Sequence, residues 1–293
     1  MNNLLELDER AEKLTIDLPT AGIQLSALAW GPPGGRPVFA LHGWLDNAAS
    51  FSPLSPYLES CRLVAVDLPG HGGSGQLPLS SWIHYPDYLP LLLEALDRLG
   101  WDQCTLLGHS LGAGLATLIA ALFPQKVSAL AAIEGIGPLT APADQALTSL
   151  RRSLTQLRRH PDRKLPTYSS CEAAISARHQ AGDLSLEAAR ILASRNLVEK
   201  GDGVGWRTDP RLTLRSPVYL MEEQVLAILE GVEAPTLLIK GDRGLLVGRP
   251  EITERCQRFD KLEIVELSGG HHLHMDDAKA VGTVITDFFQ REG

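Results

Sequence analysis

The residues best suited to covalent chemistry lie in the run Leu106-Leu107-Gly108-His109-Ser110-Leu111-Gly112-Ala113-Gly114. An apolar, strand-like stretch, Cys104 to Leu107, ends in Gly-His-Ser-Leu-Gly. A Leu/Ala-rich stretch then runs to Phe123-Pro124, where Pro124 marks a helix end. A serine at a strand-to-helix turn, with glycine two residues before and after it, has the G-x-S-x-G form of a nucleophile elbow. The sharp turn points the hydroxyl outward, and the glycines remove Cβ atoms that would collide with neighbouring backbone. The helix that follows offers free N–H groups and a positive dipole end where negative charge can develop. A second reading, in which Gly112-Ala113-Gly114-Leu115-Ala116-Thr117 cradles a dinucleotide, fails because its sixth position is threonine and its glycines fall inside the helix.

The flanking sequence supplies elements to hold such a serine. Lys13–Leu18 and Ile23–Trp30 alternate as two strands of a hairpin. Pro37–Leu41 is a short buried strand ending in His42-Gly43-Trp44, with a helix starting near Ala49. Arg62–Val66 is another strand, ending in Asp67-Leu68-Pro69-Gly70-His71-Gly72-Gly73-Ser74. A helix over about Tyr85–Leu99 precedes the serine strand, and Val127–Ile133 follows it, ending at Glu134-Gly135. Alternating strands and helices predict a mostly parallel sheet covered on both faces. Functional groups in such sheets gather at the C-terminal strand ends, where His42, Asp67, Ser110 and Glu134 all fall.

From about residue 138 to 216 the character changes to helical and arginine-rich (Ala143–Arg159, Cys171–Gln180, Ser185–Asn196), with no clear buried strand. The glycine-rich Gly201-Asp202-Gly203-Val204-Gly205-Trp206 reads as a loop closing it. The expected organisation is therefore an α/β core over 1–137 and 217–293, interrupted by a helical cap over 138–216. Alternation resumes with helix Val218–Glu230, strand Pro235–Lys240, helix Pro250–Phe259, strand Lys261–Leu267 and helix Asp276–Gln290.

Composition narrows the partners. The chain of 293 residues carries a formal charge of −8 and a pI near 5.6, which argues against nucleic acid or an anionic membrane. Arg151-Arg152 with Arg158-Arg159 reads as a solvated helix face. Cys61, Cys104, Cys171 and Cys256 are scattered without C-x-x-C spacing, as expected of reduced thiols in a cytoplasmic protein. The polar, acidic Met1–Lys13 does not look like a signal peptide, and no stretch has the roughly 18–20 apolar residues of a membrane span. A soluble protein acting on a small molecule is expected; the oligomeric state is not legible.

His42-Gly43-Trp44, Asp67–Ser74, Gly108-His109-Ser110-Leu111-Gly112 and Gly270-His271 stand in an order and spacing that resembles the α/β-hydrolase superfamily over nearly the whole chain. Within it, the chain looks like the capped esterase, dehalogenase and epoxide-hydrolase branch, and Trp206-Arg207-Thr208-Asp209-Pro210-Arg211 is reminiscent of serine-hydrolase-like proteins. Dehalogenases and epoxide hydrolases of that branch use an aspartate nucleophile; Ser110 argues against both activities.

The resemblance implies roles. His271, reached from the last strand through Ser268-Gly269-Gly270, falls where the family carries its general base; a serine hydroxyl is a poor nucleophile until an imidazole takes its proton. His272 is the fallback base. The backbone N–H groups of Trp44 and Leu111 would form the oxyanion hole. Asp67–Ser74 reads as a structural turn, with His71 orienting loops. His272 and His274 with Asp276 or Asp277 form no evident metal-ligand set, so no metal and no cofactor are expected. Most family members place the triad acid after the penultimate strand as Gly, two residues, then Asp; here Gly241-Asp242-Arg243-Gly244 puts a glycine in that place. Dehalogenase-like members place it after the strand following the nucleophile helix, where Glu134 stands. Glu134 is the first choice and Asp242 the fallback. The implied activity is hydrolysis of a carboxylic ester or related acyl substrate through an acyl-enzyme on Ser110. The alternatives are C–C bond hydrolysis or a lyase reaction on the same triad, or a ligand-binding protein with little turnover.

Overall fold

The computed structural model describes residue 5 and residues 8–78, 84–158 and 165–292. Arg159, and Met1–Leu4, Glu6 and Leu7 of the polar N-terminus, lie outside the described residues.

Strands β1 (Glu12–Leu18) and β2 (Ile23–Trp30) form the expected hairpin. They are followed by β3 (Arg36–Leu41), β4 (Cys61–Val66), helix α1 (Tyr88–Arg98), β5 (Cys104–His109), helix α2 (Leu111–Leu122) and β6 (Val127–Ile133). After the inserted region come helix α6 (Glu222–Leu229), β10 (Thr236–Gly241), helix α7 (Pro250–Cys256), β11 (Leu262–Leu267), and helices α8 (Leu273–Asp276) and α9 (Ala278–Arg291). The central sheet has the order β1-β2-β4-β3-β5-β6-β10-β11. β1 and β2 pair antiparallel, as do β2 and β4; from β4 to β11 every pairing is parallel.

β3, β5 and β6 are almost wholly buried, which explains their continuous apolar runs: both faces of a parallel sheet are covered. One face packs on α1, α2 and α6 through Leu92, Leu96, Leu115 and Ile119, the other on α9 and the segment after β3 through Phe51, Leu54, Ile285 and Phe288. The strand order reverses between β3 and β5, which opens a crevice at their C-terminal ends. There the segment expected to begin a helix near Ala49 makes only a 3-10 turn, Ala48–Phe51, capped by Asn47.

Between β6 and α6 lie helices α3 (Ala146–Arg158), α4 (Cys171–Ala181) and α5 (Leu186–Asn196). This region is not purely helical. β7 (Thr167–Tyr168), β8 (Leu197–Lys200) and β9 (Gly203–Trp206) form a small antiparallel sheet in the order β7-β9-β8. The stretch read as a glycine-rich loop is thus a hairpin turn leading into β9. Gly203 and Gly205 hid it, because glycine carries no strand signal; at Gly203 a Cβ would meet Tyr168 O at 2.2 Å. None of these strands joins the central sheet, and the region has its own core around Ala174, Ile175, Ala189 and Leu192.

Candidate active site

Ser110 sits between β5 and α2 with φ 51° and ψ −113°. A non-glycine residue held there costs about 1–3 kcal/mol, a strain that clusters at functional sites. Close packing holds it: Ser110 N–H continues the ladder to Ile133 O at 2.9 Å. Gly112 is obligatory, since a Cβ there would lie 1.9 Å from Leu41 O. The tight approach of α2 to the end of β3 sets the crevice width. Among the described residues, the backbone N–H groups of Trp44 and Leu111 have no hydrogen-bond acceptor, and Leu111 is the first residue of α2. Both are of the kind an oxyanion hole requires.

Buried imidazoles shape the Trp44 loop. His42 accepts from Leu68 N–H at Nε2 (3.0 Å) and lies 2.7 Å from Gly43 O through Nδ1. His71 accepts from Leu45 N–H at Nε2 (3.2 Å) and faces Pro69 O through Nδ1. Each ring is therefore neutral, with its proton on Nδ1. Burial drives the His71 pKa down to about 3 and lowers that of His42. Asp67 lies beneath them, accepting from Ala48 and Gly73 N–H groups and from Arg195 Nε, each by at least one bond of 2.8 Å or less.

Glu134 ends β6 as Ser110 ends β5, again with φ 51°. Its N–H reaches Ile239 O at 2.9 Å, turning the side chain toward the β10 loop. Its carboxylate accepts from Gly241 N–H (2.8 Å) and Leu245 N–H (2.6 Å), and Oε2 lies 3.3 Å from His271 Nδ1. Gly244 explains why: a Cβ at that position would stand 2.2 Å from both carboxylate oxygens. The glycine in the usual acid position leaves open the space that Glu134 fills from the neighbouring strand. Asp242 is exposed and turns away, accepting from Gly269 N–H (2.9 Å) and Arg243 (3.0 Å); that backbone hydrogen bond, then Arg243, lowers its pKa. The structure thus brings Glu134, and not Asp242, to His271. It records no hydrogen bond between Ser110 Oγ and His271. Such contacts are often long without substrate.

The structure, like the sequence reading, keeps the neighbouring histidines out of the Glu134–His271 pair. His272, the fallback base, turns away from Glu134, with Nδ1 2.8 Å from Asp183 O and Nε2 3.3 Å from Asp46 Oδ2. Asp276 accepts from Ser185 N–H and Asp277 caps α9, so neither joins His272 or His274. Sequence reasoning passed over Asp46, whose carboxylate gathers His272, Arg178 and, at 3.6 Å, His109. Its signal was faint: one acid two residues after the Trp44 turn. A surface hollow of about 880 Å³ between α7 and the β10–β11 edge is lined by none of Ser110, Glu134 or His271.

The sequence matches the family described as "alpha/beta hydrolase fold" over residues 36–278. It is 30% identical to a serine hydrolase-like protein of Danio rerio over 93% of this chain and 87% of that one. A crystal structure of a hypothetical protein from Pseudomonas aeruginosa superposes with a TM-score of 0.90 at 40% identity, covering 95% of this chain and 99% of the other. The thioesterase domain from the curacin biosynthetic pathway gives a TM-score of 0.84 at 30% identity, over 94% and 99% of the two chains.

Proposed function

This chain belongs to the α/β-hydrolase family, and from that premise we propose that it is a serine hydrolase cleaving a carboxylic ester or related acyl compound. The observation that carries the reading is the strained Ser110 elbow set beside the Glu134–His271 pair. Ser110 Oγ attacks the carbonyl carbon while His271 Nε2 takes the hydroxyl proton. Glu134 fixes the His271 tautomer and stabilises the imidazolium. The oxyanion forms against the N–H groups of Trp44 and Leu111, an interaction strongest in the transition state. Collapse releases the alcohol or thiol, protonated by His271. Water activated by the same imidazole then frees the acid and regenerates Ser110. None of these steps calls for a cofactor.

Residues 138–216 act as the cap that sets specificity. Its supports include the hydrogen bond from Trp44 Nε1 to Leu212 O (2.8 Å), which ties the oxyanion loop to this region. Four free cysteines support a cytoplasmic setting; no helix among the described residues is long and apolar enough to cross a membrane.

The test is a fluorophosphonate probe alongside a panel of esters and thioesters of graded acyl length. Labelling should fall on Ser110, and Ser110→Ala should fold normally, lose labelling and lose turnover by several orders of magnitude. Near-native hydrolysis by that variant would refute the nucleophile. Labelling without turnover of any acyl substrate would favour a binding protein, and turnover of diketones alone a C–C hydrolase.

A further inference from the structure

Behind the proposed base lies a second polar cluster that the chemistry above does not use. His271 is held at three points. Its ring meets Glu134, its N–H donates to Asp183 Oδ2 (2.8 Å), and its carbonyl accepts from His109 Nε2 (2.9 Å). Asp183 lies in the inserted region, between α4 and α5. The neighbouring His272 reaches the same residue from Nδ1, at the Asp183 carbonyl, and reaches Asp46 from Nε2. Arg178 of α4 donates to the other Asp46 oxygen at 2.9 Å.

The proton inventory of this cluster is constrained. Asp183 O and a carboxylate oxygen can only accept, so a His272 ring bonded to both must carry protons on both nitrogens. His109 donates from Nε2, which leaves a bare Nδ1 facing Asp46 Oδ2 without a hydrogen-bond partner. His274, with its ring centroid 4.1 Å from that of His109, has no hydrogen-bond partner for either nitrogen among the described residues. Among the groups facing His272 (Asp46, Arg178, Asp183, His109, His271 and His274), no other can place a proton between the ring and Asp46.

We propose that His272 is a buried imidazolium that clamps the cap to the core and is a positioning residue for the base. It joins Asp46, two residues beyond the oxyanion donor Trp44, to Asp183, whose carboxylate holds the His271 main chain. Cap seating and base placement are thereby one linkage. The electrostatics agree. Burial opposes charge on His272, but Asp46 outweighs it and the pKa is raised; burial likewise opposes charge on Asp46, but His272 and Arg178 hold its pKa well below the usual range. The Asp46, His109 and His272 ligand atoms lie within 4.8 Å of one another. Arg178 already offsets Asp46, so a divalent cation there would add two uncompensated positive charges to the buried cluster where a proton adds one.

The proposal rests on His271 being the base, which the Ser110 labelling tests; the clamp is tested separately by histidine ring ¹⁵N NMR of the whole chain, whatever its turnover. Both His272 ring nitrogens should be protonated at neutral pH, and a neutral His272 would overturn the proposal. So would one zinc per chain retained through dialysis with loss of the imidazolium signal. In kinetics, His272→Gln should lower kcat by about tenfold to a hundredfold, as expected for a misplaced base, with a smaller change in KM. It should also abolish the alkaline fall in kcat that follows loss of the His272 proton in the parent enzyme. Asp183→Asn keeps an acceptor for His271 N–H and should stay near the parent kcat, whereas Asp183→Ala should resemble His272→Gln. Equal losses in the two Asp183 variants, or an unchanged alkaline limb in His272→Gln, would refute the clamp.

Discussion

Adding one methyl group at Gly244 should disable this site. Gly244 is not among the glycines with positive φ, so alanine strains no backbone there. Its Cβ would nevertheless lie 2.2 Å from both oxygens of Glu134, and the carboxylate must move. It then loses at least one of the bonds from Gly241 and Leu245 N–H (2.8 and 2.6 Å). Hydrogen bonds to a charged group contribute about 1.5–3 kcal/mol each, so stability should fall by about 2 kcal/mol. The acid also leaves His271. Removing a triad acid costs about 10⁴-fold, or about 5.5 kcal/mol of barrier, and a displaced one should cost about a hundredfold or more. A reciprocal exchange separates mechanism from damage. Glu134→Gly suits the φ of 51° at that position and should remove most activity. Adding Gly244→Asp returns a carboxylate to the vacated space and should recover about tenfold or more of it. The assay is kcat/KM on the best ester from the panel, with a thermal melt of each variant. Parent-like activity in Gly244→Ala, or a double variant no better than Glu134→Gly alone, would refute the placement of the acid.

Asp242→Asn should leave kcat/KM within a few-fold of the parent, because its carboxylate serves Gly269 N–H and Arg243; a loss matching that of Glu134→Gln would reverse the assignment. Acid stability should fall steeply. His71 and His109 are lowered by burial to about 3 and about 4, and His42 and His274 are lowered as well, all from 6.5. The folded rings stay neutral while the unfolded chain takes up protons, so their contribution is present above pH 6.5 and is lost as pH falls toward the folded values. Each ring costs up to about 1.4 kcal/mol per pH unit in that window. A urea midpoint flat from neutral pH down to about pH 4 would contradict it. The raised pKa of His272 acts oppositely, with its contribution lost as pH rises through the folded value.

The strand alternation was legible because the central parallel strands are almost uniformly apolar; Ser110 stands in the turn that ends one of them, and His271 follows the more exposed edge strand β11. The acid was less legible. Glu134 and Asp242 both end suitable strands, and what distinguishes them is the space above Gly244, which no periodicity reports. The sheet of the inserted region was hidden by its brevity and by glycines at Gly203 and Gly205. The cluster around Asp46 joins four sequence-distant segments through Arg178, His109 and His272, and spacing along the chain carries no trace of such convergence.

Three of the bonds that seat the inserted region run from core side chains to its main-chain carbonyls: Trp44 to Leu212 O, Asn47 to Leu192 O and His272 to Asp183 O. A carbonyl is the same group whatever side chain its residue bears. These attachments are therefore indifferent to amino-acid identity at positions 192 and 212, and partly so at 183. The region's side chains can diversify by mutation while these attachment points stay fastened. For an engineer, a library that randomises residues 138–216 while sparing Arg178, Asp183 and Arg195 should yield many folded members with this region seated, and on the proposed reading some should differ in acyl preference. The same tolerance would let one catalytic base serve a succession of substrates over evolutionary time.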